Sequence, residues 1–178
     1  MNFESITEED DDGIVHEPGA GDAIELLAMD HEDVKMLFAD YEELVGDGAT
    51  AEERAELARQ ICNALIAHTT VEEEIFYPAA RDVVDPPELL DQAAAEHDSA
   101  KVLIAQILRM DPADAELDRT VMQLQDAIDH HVYEEENEVF PRVQESEIDL
   151  QSLGEQIAQR KEEVLAELDD AYQGGLAR

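Results

Sequence analysis

The chain has 178 residues, enough for one domain with a sizeable core, and its 47 acidic and 11 basic residues give a formal net charge of -36. That balance excludes nucleic acid and anionic membrane surfaces as expected partners, because no basic patch can neutralise phosphates or headgroups. Ala, Leu, Glu and Asp dominate, aromatics make up 4%, and Trp is absent, so an all-α fold is expected.

Cys62 is the single cysteine, which rules out an intrachain disulfide, and it reads as a small packing residue beside its helix's apolar stripe. No secretory apolar segment opens the chain, and no apolar run is long enough to span a bilayer. A soluble, cytoplasmic protein is the expectation.

Residues 1–21 are acidic, lack Lys and Arg, and are interrupted by Gly13, Pro18, Gly19 and Gly21. They read as a flexible, disordered tail, and His16 within them is set aside as a ligand. The first helix is expected to start at Asp22, with Glu25 completing a capping box. Ile24, Leu27, His31, Val34, Phe38, Tyr41 and Val45 then recur at helical spacing, and Gly46 and Gly48 end the run. Tyr41 belongs to this core face.

Thr50 and Glu53 form the same capping signature for a second helix. Its inward face carries Leu57, Ile61, Leu65, His68 and Glu72 and runs on to Phe76, with Pro78 near its end. Pro86 and Pro87 break the chain and open the third helix, whose face is Leu90, Ala93, His97, Ala100, Ile104 and Leu108. After the Asp111-Pro112 turn, the fourth helix places Leu117, Val121, Leu124, Ile128, His131, Glu135 and Val139 on one side. The alternative register through His130 gathers Gln123, Asp126, Ala127 and Glu134, which is mostly polar. His131 is therefore the inward residue and His130 the solvated one.

Residues 149–172 give a fifth helix, with Leu150, Leu153, Ile157, Val164, Leu165 and Leu168 on its apolar side. That side must cover either the bundle or a partner chain, such as a second copy. The expected organisation is an acidic tail over 1–21, an antiparallel up-down four-helix bundle over 22–145, and a C-terminal segment over 146–178.

Four histidines thus lie on four inward faces, and two of them, His68 and His131, are followed four residues later by Glu72 and Glu135. Residues four apart share a helix face. Burying such groups is costly unless something satisfies them, and a pair of metal ions does so economically. An internal repeat supports this. DHEDVKMLF around His31 matches EHDSAKVLI around His97, and HTTVEEEIFYP from His68 matches HVYEEENEVFP from His131. Two equivalent helix pairs around an approximate two-fold axis follow, with the metal pair near that axis. Lys35 and Lys101 are expected to pair with nearby carboxylates, including Glu32 and Asp98 three residues back. Glu73, Glu74, Glu134 and Glu136 read as solvated, though each could still support a ligand.

Over residues 23–145 the motifs DHEDVKMLF, HTTVEEEIFYPA, EHDSAK and HHVYEEENEVFP resemble those of the hemerythrin-like, HHE cation-binding proteins. The resemblance implies a non-haem di-iron centre inside an antiparallel helical bundle, bridged by carboxylates and an oxo or hydroxo group. It implies His31, His68, His97 and His131 as terminal ligands and Glu72 and Glu135 as bridges. It also implies binding of dioxygen, or related chemistry with nitric oxide or peroxide. Oxygen-carrying hemerythrins have a second histidine one turn beyond the first on the third helix, and Lys101 stands at that place here. Redox reactivity, sensing or stress protection is therefore favoured over simple oxygen carriage. Two alternatives stand beside it: a peroxide-degrading or iron-oxidising enzyme, and a metal-dependent protein that signals through the C-terminal helix.

Overall fold

The computed structural model describes residues 21–176, with side chains up to residue 174. Among these, every regular element is helical. α1 (Ala23–Gly46) and α2 (Ala51–Val71) are followed by a π-helical segment, π1 (Glu72–Phe76), and a short α3 (Tyr77–Ala80) that continues the same rod. α4 (Glu88–Ile107) leads to α5 (Leu117–Glu134), which continues through π2 (Glu135–Val139) and α6 (Phe140–Gln144). α7 (Leu150–Leu176) ends the described chain. The acidic tail expected over 1–21 lies outside the described residues except for its last glycine.

Local chemistry sets the helix starts. Asp22 and Glu25 exchange side-chain and backbone hydrogen bonds at the head of α1, and Thr50 and Glu53 do the same for α2. Both expected capping boxes are present. Gly48, just beyond α1, has φ of +70°, a conformation that glycine adopts without steric cost.

The two π segments are a departure from the continuous helices expected. Tyr77 N–H reaches back five residues to the Glu72 carbonyl, and Phe140 N–H does the same to Glu135. In each case a proline follows directly, Pro78 or Pro141. Proline cannot donate to the carbonyl four residues back and its ring crowds that carbonyl; one extra residue in the turn relieves both problems.

α1 neighbours α2 and α5, and α4 neighbours the same two, so the four rods close into a bundle. Short connections make sequential rods antiparallel. The core divides into two apolar clusters. One contains Leu27, Phe76, Phe140 and Ile157, and the other Phe38, Tyr41, Ile61 and Leu124. Along every rod the inward histidine sits between these clusters, so a thin polar layer crosses an otherwise apolar core. Cys62 packs in the second cluster, where burial pushes its thiol up to about 12, which makes it inert. Tyr41 is also core, and its hydroxyl donates to Asp118 at 2.8 Å. Val45 and Leu108, expected inward, are exposed; at the end of α4 it is Ile107 that turns into the core instead.

α7 lies on the bundle, against α1 and α2. Leu153, Ile157 and Val164 are buried, whereas Leu165 turns outward. Gly154 allows the close approach at the base of α7. A Cβ there would lie 2.6 Å from the Gly21 carbonyl oxygen and 3.0 Å from the Ala23 nitrogen. Higher up, Arg160 pairs with Glu74, and the Arg59 guanidinium sits 4.1 Å from the centroid of the Tyr172 ring. No helix among the described residues is long and apolar enough to cross a membrane.

Candidate metal centre

The six residues singled out in the sequence meet in the polar layer. His31, His68, His97, His131, Glu72 and Glu135 are all buried, and both glutamates are 1% exposed or less. The histidines form two pairs, with Nε2 atoms 3.1 Å apart in His31–His68 and again in His97–His131. Glu72 Oε2 lies 3.2 Å from Nε2 of both His68 and His97, so it stands between the pairs. Glu135 Oε2 stands likewise between His31, at 3.4 Å, and His131, at 3.8 Å. Two ligand sets result: His31, His68, Glu72 and Glu135, and then Glu72, His97 and His131.

The opposite ring nitrogens explain why these contacts are not ordinary hydrogen bonds. Each Nδ1 faces a different carboxylate: His31 with Glu136 at 2.9 Å, His68 with Asp30 at 3.3 Å, His97 with Glu73 at 3.0 Å and His131 with Glu96 at 3.0 Å. A carboxylate accepts, so Nδ1–H donates and fixes the tautomer. In the neutral ring that a metal requires, Nε2 is then a bare lone pair. Four such lone pairs converge on Glu72 and Glu135, whose four buried carboxylate oxygens have no hydrogen-bond partner among the described residues. Lone pairs crowded at 3.1 Å with no hydrogen between them repel unless a cation lies among them. Two donors about 2.1 Å from one metal and at right angles to it sit about 3.0 Å apart, close to the spacing found. The residues therefore fit a metal pair.

Metal-free electrostatics lead to the same conclusion. Burial raises the Glu72 carboxyl well above the usual range, and the neighbouring Glu135 raises it further. Burial also works to raise Glu135, but the close approach and charge of His31, with the charge of His131, outweigh it and hold Glu135 low. Burial is the main cause that lowers His97, to about 4, with help from the charge of His131. His68 is lowered chiefly by burial as well. His31 moves up, because Glu135 and Glu136 overcome its burial. Without a cation, the layer must keep some acids protonated and some bases neutral at a cost in free energy.

The supporting carboxylates obey the internal repeat. Asp30 and Glu96 each precede an inward histidine and serve the histidine of the following rod. Glu73 and Glu136 each follow an inward glutamate and serve His97 and His31. Reading Glu73 and Glu136 as solvated is thus corrected: both are half-buried and hydrogen-bonded to a ring. The signal was their matched place after Glu72 and Glu135. Glu74 is at the surface, paired with Arg160, while Glu134 is half-buried like Glu73 and Glu136 but accepts from Gln92 and bonds no inward ring. Lys35 pairs with Glu32 at 2.9 Å as expected. Lys101 pairs with Asp98 at 3.7 Å, also as expected, and donates to both oxygens of Glu73, at 2.6 and 2.7 Å. His130 is exposed.

Tyr77 was not singled out in the sequence. Its ring stacks on His97 with centroids 5.5 Å apart, and its phenol oxygen lies 3.3 Å from His97 Nε2. Burial, then the charges of Glu135 and Glu72, raise this phenol well above its usual range. Tyr77 also lines a surface cleft of about 370 Å³ with Glu73, Pro78 and Leu90.

Residues 22–143 match the hemerythrin HHE cation binding domain. The chain belongs to that family. Such domains bind metal cations, and the two buried His/Glu sets described above fit that role. A solved structure of a hemerythrin HHE cation binding domain-containing protein from Mycobacterium kansasii is similar, with a TM-score of 0.69 and 25% identity. The alignment covers 83% of this chain and 89% of that one. A DNA nickase from Nostoc sp. strain PCC 7120 is 31% identical over 122 residues, which is 67% of this chain. The chain spans about a third of that relative, 32% of its length. α7 lies beyond the residues matched by the family.

Proposed function

We propose that the polar layer holds two iron ions, one at His31 and His68 and one at His97 and His131. Glu72 and Glu135 are shared between them. The centre binds or reacts with dioxygen, nitric oxide or peroxide, in oxygen or redox sensing or in protection against such species. The observation that carries this reading is the inward convergence of four Nε2 lone pairs and four donor-free carboxylate oxygens in a buried layer. Iron at such a centre supplies redox chemistry toward small oxidants.

The chain's own residues support the choice of small ligands. A cleft between Ala93, Glu96, His131 and Glu135 reaches the layer with a volume of about 10 Å³, room for one water-sized molecule. Lys101 is turned to Glu73 and offers no ring nitrogen, so four histidines and two glutamates leave coordination positions open. That supports reactivity or sensing over simple carriage. Peroxide breakdown or iron oxidation is the enzymatic form of the same reading.

The nickase likeness extends over 122 residues, about a third of that relative, and carries no activity over to this chain. The charge of -36 opposes DNA as a partner of this chain. Protein produced with iron is expected to contain close to two irons per chain and to show coupled ferric absorption in air. Admitting air to the anaerobic ferrous form and then removing it separates reversible binding from oxidation. No uptake of iron, and no change in stability on adding it, would overturn the proposal.

A further inference from the structure

We propose that Lys161 of α7 is a positioning residue of the metal centre, holding Asp30 so that Asp30 holds the His68 ring. This rests on the di-iron reading above. Asp30 is buried, 7% exposed, and its two oxygens are divided. Oδ2 accepts from His68 Nδ1 at 3.3 Å, and Oδ1 accepts from the Lys161 ammonium. The order Lys161–Asp30–His68 therefore runs from the fifth helix to a ring nitrogen facing Glu72.

The repeat shows what Lys161 adds. His97 has the same arrangement within the four-rod bundle, through Glu73 and Lys101. The two-fold equivalent of Lys101 is Lys35, but Lys35 bonds Glu32, and Glu136 beside it receives no lysine hydrogen bond. α7 supplies the second lysine from outside the repeat, to a different carboxylate. The two histidines with lysine-backed carboxylates, His68 and His97, are the pair whose Nε2 atoms lie 3.2 Å from Glu72 Oε2. His31 and His131, which flank Glu135, have carboxylates without that backing. Glu96 takes the side-chain amide of Gln92 at 3.1 Å. The Glu72 side of the centre thus carries two fixed positive charges in its outer layer, one of them contributed by α7.

Two consequences follow. A carboxylate fixed by an ammonium holds the ring in one orientation, and loss of such outer partners weakens metal binding by roughly 10- to 100-fold. A positive charge fixed near a redox centre also favours the reduced metal, so its removal lowers the reduction potential. The Lys161 side chain is 31% exposed and lines an open cleft of about 200 Å³ with Asp30 and Leu165, so an apolar chain of similar length is accommodated there.

The test compares wild type, Lys161→Met, Lys161→Arg and Arg160→Met. Arg160 is the control because it pairs α7 with Glu74 without touching Asp30. Ferrous iron affinity is read anaerobically by competition with a chelator. The reduction potential is read on the loaded proteins and the melting temperature on the metal-free ones. Lys161→Met is expected to lose at least tenfold in affinity and to shift the potential negative, with Lys161→Arg close to wild type and Arg160→Met unchanged in both. Wild-type affinity and potential in Lys161→Met would overturn the inference, as would an equal loss in Arg160→Met, which would assign the effect to α7 docking. A wild type that takes up no iron overturns the di-iron reading and this inference together.

Discussion

Tyr77 and Phe140 occupy equivalent places in the two halves and do equivalent packing, but only Tyr77 carries an oxygen to the metal layer. Tyr77 stacks on His97 at 5.5 Å, and Phe140 stacks on His31 at 5.7 Å. The two ligand pairs therefore differ by one phenol. Tyr77→Phe is expected to fold with little loss, within about 1 kcal/mol, because one long hydrogen bond is removed and Phe140 shows that the bare ring fills such a place. Iron content is expected to stay at the wild-type level, while the absorption spectrum and the rate with peroxide change. An unaltered spectrum and rate would show that the phenol is packing alone.

Glu72 and Glu135 look alike in sequence and differ in the metal-free protein. Burial and the neighbouring Glu135 favour the neutral form of Glu72, whereas His31 and His131 favour the ionised form of Glu135. Glu72→Gln replaces a neutral acid by a neutral amide, so metal-free stability should change by less than about 1 kcal/mol. Glu135→Gln removes a charge-assisted contact and should cost about 1–3 kcal/mol. Both variants should lose metal. Chemical denaturation of the metal-free proteins, with metal analysis after iron loading, decides it. Equal destabilisation by the two variants would contradict the proton assignment.

The bundle was legible because helical periodicity and capping pairs are local signals. Asp22 with Glu25, and Thr50 with Glu53, cap α1 and α2 as their spacing predicts. The inward choice of His131 over His130 was also local, since one register was apolar and the other polar. Three features were not read from the sequence, the first of them local and the other two set by contacts between distant residues. The π segments needed the meaning of a proline six residues after Glu72 and Glu135. The roles of Glu73 and Glu136 needed the neighbouring rods, because a glutamate on a polar face looks solvated until a ring nitrogen comes within reach. The tie from Lys161 to Asp30 spans most of the chain, and a lone lysine among the acids of α7 gives no local sign of it.

Metal removal should cost stability that grows with the logarithm of the affinity. A cation that binds the folded layer and not the unfolded chain adds about 2.7 kcal/mol when free metal is 100-fold above its dissociation constant. Chelation is expected to lower the melting temperature, and added iron to restore it. A melting temperature indifferent to metal would mean that the layer does not hold the ion in the folded state.

Gly154 is required by the approach of α7 to the start of α1. A methyl group there would lie 2.6 Å from the Gly21 carbonyl, a backbone atom that cannot simply rotate away. Gly154→Ala should therefore cost about 1–3 kcal/mol, as overpacking does, despite alanine's better helix propensity. The loss should appear first as faster amide exchange in α7. A stabilised variant would show that the contact relaxes freely.

The metal-free protein should become less stable as pH falls from neutrality toward 4. His97 titrates near 4 in the folded chain, against 6.5 for an ordinary histidine. Between those values the unfolded chain binds a proton that the folded layer refuses. The contribution of His97 is thus complete above pH 6.5 and is lost as pH falls through the folded value. His68 shifts in the same direction. His31 shifts upward and opposes them, with a contribution that is full below 6.5 and lost as pH rises through its folded value. Protonation of surface carboxylates also relieves the net charge of -36, so melting should be followed in high salt, which screens that repulsion. His97→Gln should flatten the dependence between pH 6.5 and 4. An equally steep curve in that variant would assign the acid loss to another group.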